Sequence, residues 1–224
     1  MGLAKKARAG SIKDVPANIA MVQTSFNSIS YYPNLFGSTE KRSSSLKAFT
    51  KWTGMFQNFD SALKKASSQN HILQLKEDLK NIQGLPISQM ASKVNTLMNA
   101  KRYISDASNY GKSDYWATPI EFLQRGGDCE DYAIAKYTAL RMLGVPEERL
   151  RIAIVKDMQK DIPHAILIVY TENNTAMVLD NQIKDATYAN RIDHYKPIFS
   201  INQHAWWLHT APQSNLTVIA SSAR

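Results

Sequence analysis

Hydrophobic positions change their rhythm once along this chain. Over residues 38–68, Leu46, Phe49, Thr50, Thr53 and Phe56 recur at helical spacing with Trp52 beside them, which predicts a helix. Ile72 to Ile82 predicts a second, shorter helix, stopped by Gly84 and Pro86. Ser88 to Ile104 predicts a third: Met90, Val94, Leu97, Met98 and Ile104 form one face, and Ser88 suits the N-cap. Thr118, Pro119 and Glu121 then fit a capping box that opens a short helix ending at Gly126-Gly127. Another begins at once, with Asp128 as its N-cap and Gly144-Val-Pro146 as its stop. Its predicted buried face carries Ala133, Tyr137 and Leu140.

After Pro146 the pattern becomes β-branched and apolar. Arg151–Met158, His164–Thr171 and Ala176–Gln182 read as strands, with Glu172-Asn173-Asn174 turning between the last two. A fourth strand is predicted through Ile198–Asn202. Helices first and strands afterwards give an α+β fold, N-terminal helices packed on an antiparallel β-sheet. Residues 1–30 read as an N-terminal extension and 31–224 as one domain.

Composition narrows the function classes. With 44% apolar and 21% charged residues the chain has the makings of a packed domain, not of a disordered tail. No apolar run approaches the roughly 20 residues that span a bilayer, so a membrane-spanning protein is not expected. The net charge is +8, but the lysines and arginines are scattered rather than striped with aromatics, so nucleic acid is not expected as a partner. Val15 to Val22 is short and broken by Pro16 and Asn18, unlike a secretory h-region. That leaves either a cytosolic chain or an exported one whose signal has been removed. The single cysteine excludes an intrachain disulfide and a multi-cysteine zinc site.

That cysteine, Cys129, falls in the first turn of a predicted helix, behind Gly126-Gly127. A helix N-terminus favours the thiolate by about 0.3–1 kcal/mol, and its backbone N–H groups suit an oxyanion. Asp128, Glu130 and Asp131 oppose this by flanking the thiol with negative charge, so something must neutralise them. On the predicted hairpin, a turn centred at residue 173 makes His164 and Asp180 diagonal neighbours, and one centred at 172 sets them face to face. An odd register would part them. A helix-borne cysteine packed on that sheet face would complete nucleophile, base and orienting carboxylate. Each residue also has a bland reading: a lone cysteine as a small buried hydrophobe, a strand-end histidine as a surface polar group, the aspartates as caps. The Trp206-Trp207 pair reads as core and edge packing.

Asp114-Tyr-Trp-Ala-Thr-Pro-Ile-Glu-Phe-Leu123, Gly127-Asp-Cys-Glu-Asp-Tyr-Ala-Ile-Ala-Lys-Tyr137, Leu143-Gly-Val-Pro146, Leu150-Arg-Ile152 and Val178-Leu-Asp-Asn181 resemble the bacterial transglutaminase-like cysteine peptidases, and among them the periplasmic adhesin proteases. The likeness runs from about Tyr32 to Leu208. It implies a papain-like, transglutaminase-like fold with Cys129 as nucleophile, His164 as base and Asp180 as third member. It implies calcium dependence, with Asp128 and Glu130 matching the ligand motif best and Asp131 and Asp114 less well. Trp116 is the candidate side-chain donor to the oxyanion. The implied activity is cleavage of the N-terminal region of a large cell-surface adhesin, dispersing biofilm. The implied partner is an inner-membrane cyclic-di-GMP receptor that sequesters the protease, and the implied location is the periplasm. Ile162-Pro-His-Ala-Ile166 departs from the Gln-Ala-His-Met-Val usual around the family histidine. An acyltransferase of the same fold would carry the same triad, and a non-enzymatic binding module would leave Cys129 buried and unreactive.

Overall fold

The structure, a computed structural model, describes residues 31–212 continuously, together with residues 19–21, 26 and 29. Helices α1 (Thr50–Leu63), α2 (Ala66–Leu79), α3 (Ile87–Asn99), α4 (Asp106–Tyr110), α5 (Pro119–Arg125) and α6 (Cys129–Met142) fill the first part of the chain. Strands β2 (Leu150–Asp157), β3 (Ile162–Tyr170), β4 (Ala176–Leu179), β5 (Thr187–Tyr188), β6 (Tyr195–Ile201) and β7 (Trp206–Thr210) follow, and β1 (Thr39–Ser43) precedes all the helices. They form one sheet of order β1-β7-β6-β2-β3-β4-β5, antiparallel at every pairing. The α+β expectation therefore holds.

Three local expectations need correction. The helix predicted over 38–68 begins only at Thr50, because Thr39–Ser43 pairs with β7 as an edge strand. Its partner is distant in sequence and leaves no local periodicity. The same segment also breaks at Lys64-Lys65, so Ala66 starts α2 well before Ile72. Ser88 is not an N-cap, since α3 already starts at Ile87 after Pro86. Its amide and hydroxyl instead donate to the Glu172 carboxylate, at 3.1 and 2.7 Å, so the β3–β4 turn caps the helix from outside. The Thr118–Glu121 capping box is present as predicted.

α6 is the centre of the molecule. Nearly its whole surface is buried, not only the predicted face, and Tyr137, Leu140 and Ala139 are fully enclosed. It packs on the odd-numbered face of the hairpin, where Leu167, Val169, Met177 and Leu179 join the α1–α3 side chains in the main core. The even-numbered face, with Ile166, Ile168, Ala176 and Val178, covers a smaller core closed by Leu35 and Tyr195. Trp207 packs as expected, with the Arg151 guanidinium 3.6 Å from its ring. The extension over residues 1–30 lies largely outside the described residues. Within it Ile19 is buried, and Met21 N–H donates to Met142 O at 2.9 Å.

Candidate active site

The hairpin register decides which side chains meet. Leu167 faces Leu179 and Tyr170 faces Ala176, which centres the turn at residue 173. His164 and Asp180 are therefore diagonal neighbours, and Nε2 of the ring lies 2.9 Å from Asp180 Oδ1. A carboxylate only accepts, so Nε2 carries a proton toward Asp180, and in the neutral ring Nδ1 is the nitrogen with the lone pair. The second Asp180 oxygen accepts from the Tyr195 hydroxyl at 2.6 Å, and Gln182 N–H donates to Oδ1 at 2.7 Å. Burial alone would raise the Asp180 carboxyl. The His164 hydrogen bond and charge, with the Tyr195 and Gln182 donors, outweigh it and hold the group below the ordinary carboxylate value. Tyr195 is a member of this site that no spacing in the sequence announced.

Cys129 is reached from the other side. Its helix packs on the odd face, whereas His164 and Asp180 have even parity, so the simple picture of a cysteine laid on their face does not hold. The sulfur lies near the start of β3, where the Ala165 N–H faces it, one residue along the chain from His164. Its own hydrogen bond goes to Glu130 Oε2 at 3.2 Å, not to His164. Burial raises the thiol strongly, the Glu130 charge raises it further, and the Ala165 amide only partly opposes them.

The two glycines before Cys129 serve the protein's own packing. A Cβ on Gly126, whose φ is +81°, would meet the Arg102 carbonyl at 2.0 Å, and one on Gly127 would meet the Asp131 carboxylate at 2.2 Å. Gly127 N–H donates to Arg102 O at 3.4 Å and Asp128 N–H to Asp131 Oδ2 at 3.3 Å. The Cys129 N–H, next in line, lies in the first turn of α6, where backbone N–H groups have no intrahelical partner. Trp116 is half-buried, its ring edge-on to Trp52 at 6.2 Å. Its loop is tied to the acidic residues through Ala117 N–H, which donates to Asp131 Oδ1 at 2.7 Å, and Tyr115 N–H, which donates to Asp106.

The carboxylates gather as the sequence suggested, with one addition. Asp106, Asp128 and Asp131 bring ligand oxygens within 4.8 Å of one another, and so do Asp106, Asp114 and Glu130. Asp106 is common to both groups and was missed, because it lies in α4, away from the motif. Burial pushes Glu130 and Asp131 each up to about 8, and the Asp128 charge adds to both. The cluster suits a hard cation by its donor set, all oxygen. Moreover, Asp106 Oδ1 and Asp128 Oδ1 are buried without a hydrogen-bond partner. Asp131 is the poorest ligand candidate, since both its oxygens already accept backbone N–H groups. Asp114 also pairs with Lys51.

Residues 52–214 match the family model described as bacterial transglutaminase-like cysteine proteinase, BTLCP. The chain belongs to that family. Among solved structures it is similar to LapG of Legionella pneumophila, 28% identical, with a TM-score of 0.56 over 69% of this chain and 87% of that one. The calcium-bound LapG gives 0.57 over 73% and 91%, and the EGTA-treated LapG 0.57 over 70% and 86%, both again 28% identical. No protein in the curated comparison matches. The proteinase is thus a transglutaminase-like cysteine protease by family, and no described helix is long and apolar enough to cross a membrane.

Proposed function

We propose that this proteinase is a calcium-dependent cysteine endopeptidase with Cys129, His164 and Asp180 as its triad. The observation that carries the reading is the buried His164–Asp180 pair held beside the backbone step that faces the Cys129 sulfur. His164 Nδ1 takes the thiol proton, and the sulfur attacks the scissile carbonyl carbon. The Cys129 N–H, with the Trp116 indole, stabilises the oxyanion. Asp180 fixes the tautomer that leaves Nδ1 unprotonated, and Tyr195 and the Gln182 amide hold Asp180. His164 then returns the proton to the leaving amine, and water, deprotonated by the same nitrogen, clears the acyl group from sulfur.

Asp106, Asp128, Glu130 and Asp114 would hold the calcium ion, and when bound it supplies positive charge that offsets the carboxylates beside the thiol. A large cell-surface adhesin as substrate, an inner-membrane cyclic-di-GMP receptor as restraint and a periplasmic setting follow the family resemblance. The test is incubation of a recombinant adhesin N-terminal region with wild type, Cys129→Ala and His164→Ala, in calcium and in EGTA. Cleavage by wild type in calcium alone is expected. Cleavage by Cys129→Ala at the wild-type rate would refute the reading, and incorporation of a primary amine in place of cleavage would move it to acyl transfer.

A further inference from the structure

Both ends of the expected proton transfer are already engaged. The thiol donates to Glu130 Oε2. The His164 Nδ1 lone pair is met by a donor from its own chain, the Gln182 side-chain amide, at 3.2 Å. With Nε2 committed to Asp180 at 2.9 Å, Nδ1 is the nitrogen left to act as base, and Gln182 covers it. The other end of the carboxamide is also held, because Lys160 Nζ donates to Gln182 Oε1.

The anchor and the cover differ in kind from the residues they act on. Lys160 sits in the turn between β2 and β3, and its own N–H is fixed by Asp157 Oδ1 at 3.1 Å. His164 and Asp180 are buried, with 2% and 1% exposure. Gln182 and Lys160 are exposed, so their side chains can swing without opening the core. The Gln182 backbone is a separate matter: its N–H holds Asp180 Oδ1 whatever side chain the residue carries.

We propose that the Gln182 side chain is a positioning residue that caps His164 Nδ1 in the resting enzyme, clamped there by Lys160, and swings away before the thiol proton can move to that nitrogen. The inference rests on His164 being the base for Cys129. The β2–β3 turn thereby becomes a control point, since whatever displaces Lys160 also loosens the cap. A peptide entering beside His164 would compete for the same carboxamide.

The experiment is the rate of Cys129 alkylation by iodoacetamide at fixed neutral pH with calcium present, in wild type, Gln182→Ala, Lys160→Ala and His164→Ala. It is read beside the ring-nitrogen resonances of protein labelled with 15N-histidine. Gln182→Ala is expected to raise the rate threefold or more and to move the His164 Nδ1 resonance toward that of an unbonded ring nitrogen. Lys160→Ala should act in the same direction with a smaller effect. It removes only an exposed side chain, so it tests the clamp even if Gln182→Ala misfolds. His164→Ala should lower the rate tenfold or more. If His164→Ala leaves the rate unchanged, the triad reading fails and the cap with it. If His164→Ala lowers the rate but neither Gln182→Ala nor Lys160→Ala raises it, the triad stands and the cap is overturned. An unmoved Nδ1 resonance in Gln182→Ala would overturn it equally.

Discussion

Replacing Glu130 with glutamine (Glu130→Gln) removes one carboxylate from beside the thiol at nearly constant volume. The sulfur and Glu130 Oε2 are 3.2 Å apart. Two unit charges at that range repel by about 5 kcal/mol at an effective dielectric near 20, or nearly four decades of thiolate at about 1.4 kcal/mol each. Glu130 is partly open to water, which reduces this, so an increase of about ten- to a hundredfold in thiolate is the working figure. The effect must depend on pH. Burial first, then the Asp128 charge, pushes Glu130 up to about 8, so below that pH it is largely protonated and repels little. The charges acting on the thiol include Glu130 in the first turn of α6 and Asp128 at its N-cap, and Tyr103 from the segment before α4 and Tyr195 from β6 also sense the thiolate charge. The assay is iodoacetamide alkylation of Cys129 in EGTA from pH 6 to 9.5. The ratio of Glu130→Gln to wild type should be near one at pH 6 and climb through pH 8. In calcium the sign reverses, because Glu130 is also a candidate ligand, and the variant should lose most of the stimulation. A ratio that stays near one across the range would refute the electrostatic argument.

Other consequences follow from the same side chains. Glu130 and Asp131 have native values near 8, above their ordinary ones, so the stability they favour is complete at low pH and is lost as pH rises through 8. Thermal melts in EGTA should therefore fall by about 5 °C or more between pH 5 and 9, and calcium should flatten the slope. Lys136 is fully buried in α6, its Nζ has no hydrogen-bond partner, and burial lowers it to about 7 against the opposing charge of Asp180. Lys136→Met should stabilise the fold by roughly 1–4 kcal/mol. It should also abolish the rise in stability that the lysine gives between pH 7 and its ordinary value, read by urea titration. Tyr195→Phe deletes the donor to Asp180 Oδ2, a charged hydrogen bond worth about 1.5–3 kcal/mol. It should cut kcat tenfold or more and lower the thermal midpoint by about 3–12 °C.

The sequence was most legible where chemistry is local. The capping box at Thr118–Glu121, the start of α6 at Cys129 and its stop at Gly144 depend on residues within one or two turns, and each lies where the spacing put it. The His164–Asp180 pairing was half legible: both even registers bring the two together, an odd one would part them, and the observed register is the even one centred at 173. What could not be read came from distant partners. β1 is a strand only because β7 lies beside it, and Ser88 is capped by Glu172 across 84 positions. Asp106 carried no motif, and its place in the acidic cluster is set by the loop that brings α4 against the N-terminus of α6. The sequence places Gly126-Gly127 before Cys129 but does not say why: the room they leave is taken by Arg102 and Asp131. The sheet face opposite α6 was likewise invisible, since parity says which residues share a face but not which face the helix covers.

The most direct test of the central claim is to catch the acyl group on sulfur. An adhesin N-terminal fragment would be mixed with enzyme in calcium, quenched in acid within the first turnover, and digested for mass spectrometry. The peptide carrying Cys129 is expected to gain the mass of the N-terminal cleavage product less one water, as a thioester, and the adduct is expected to be absent in EGTA. Cleavage that proceeds with no adduct on Cys129, or with the adduct on another residue, would contradict it.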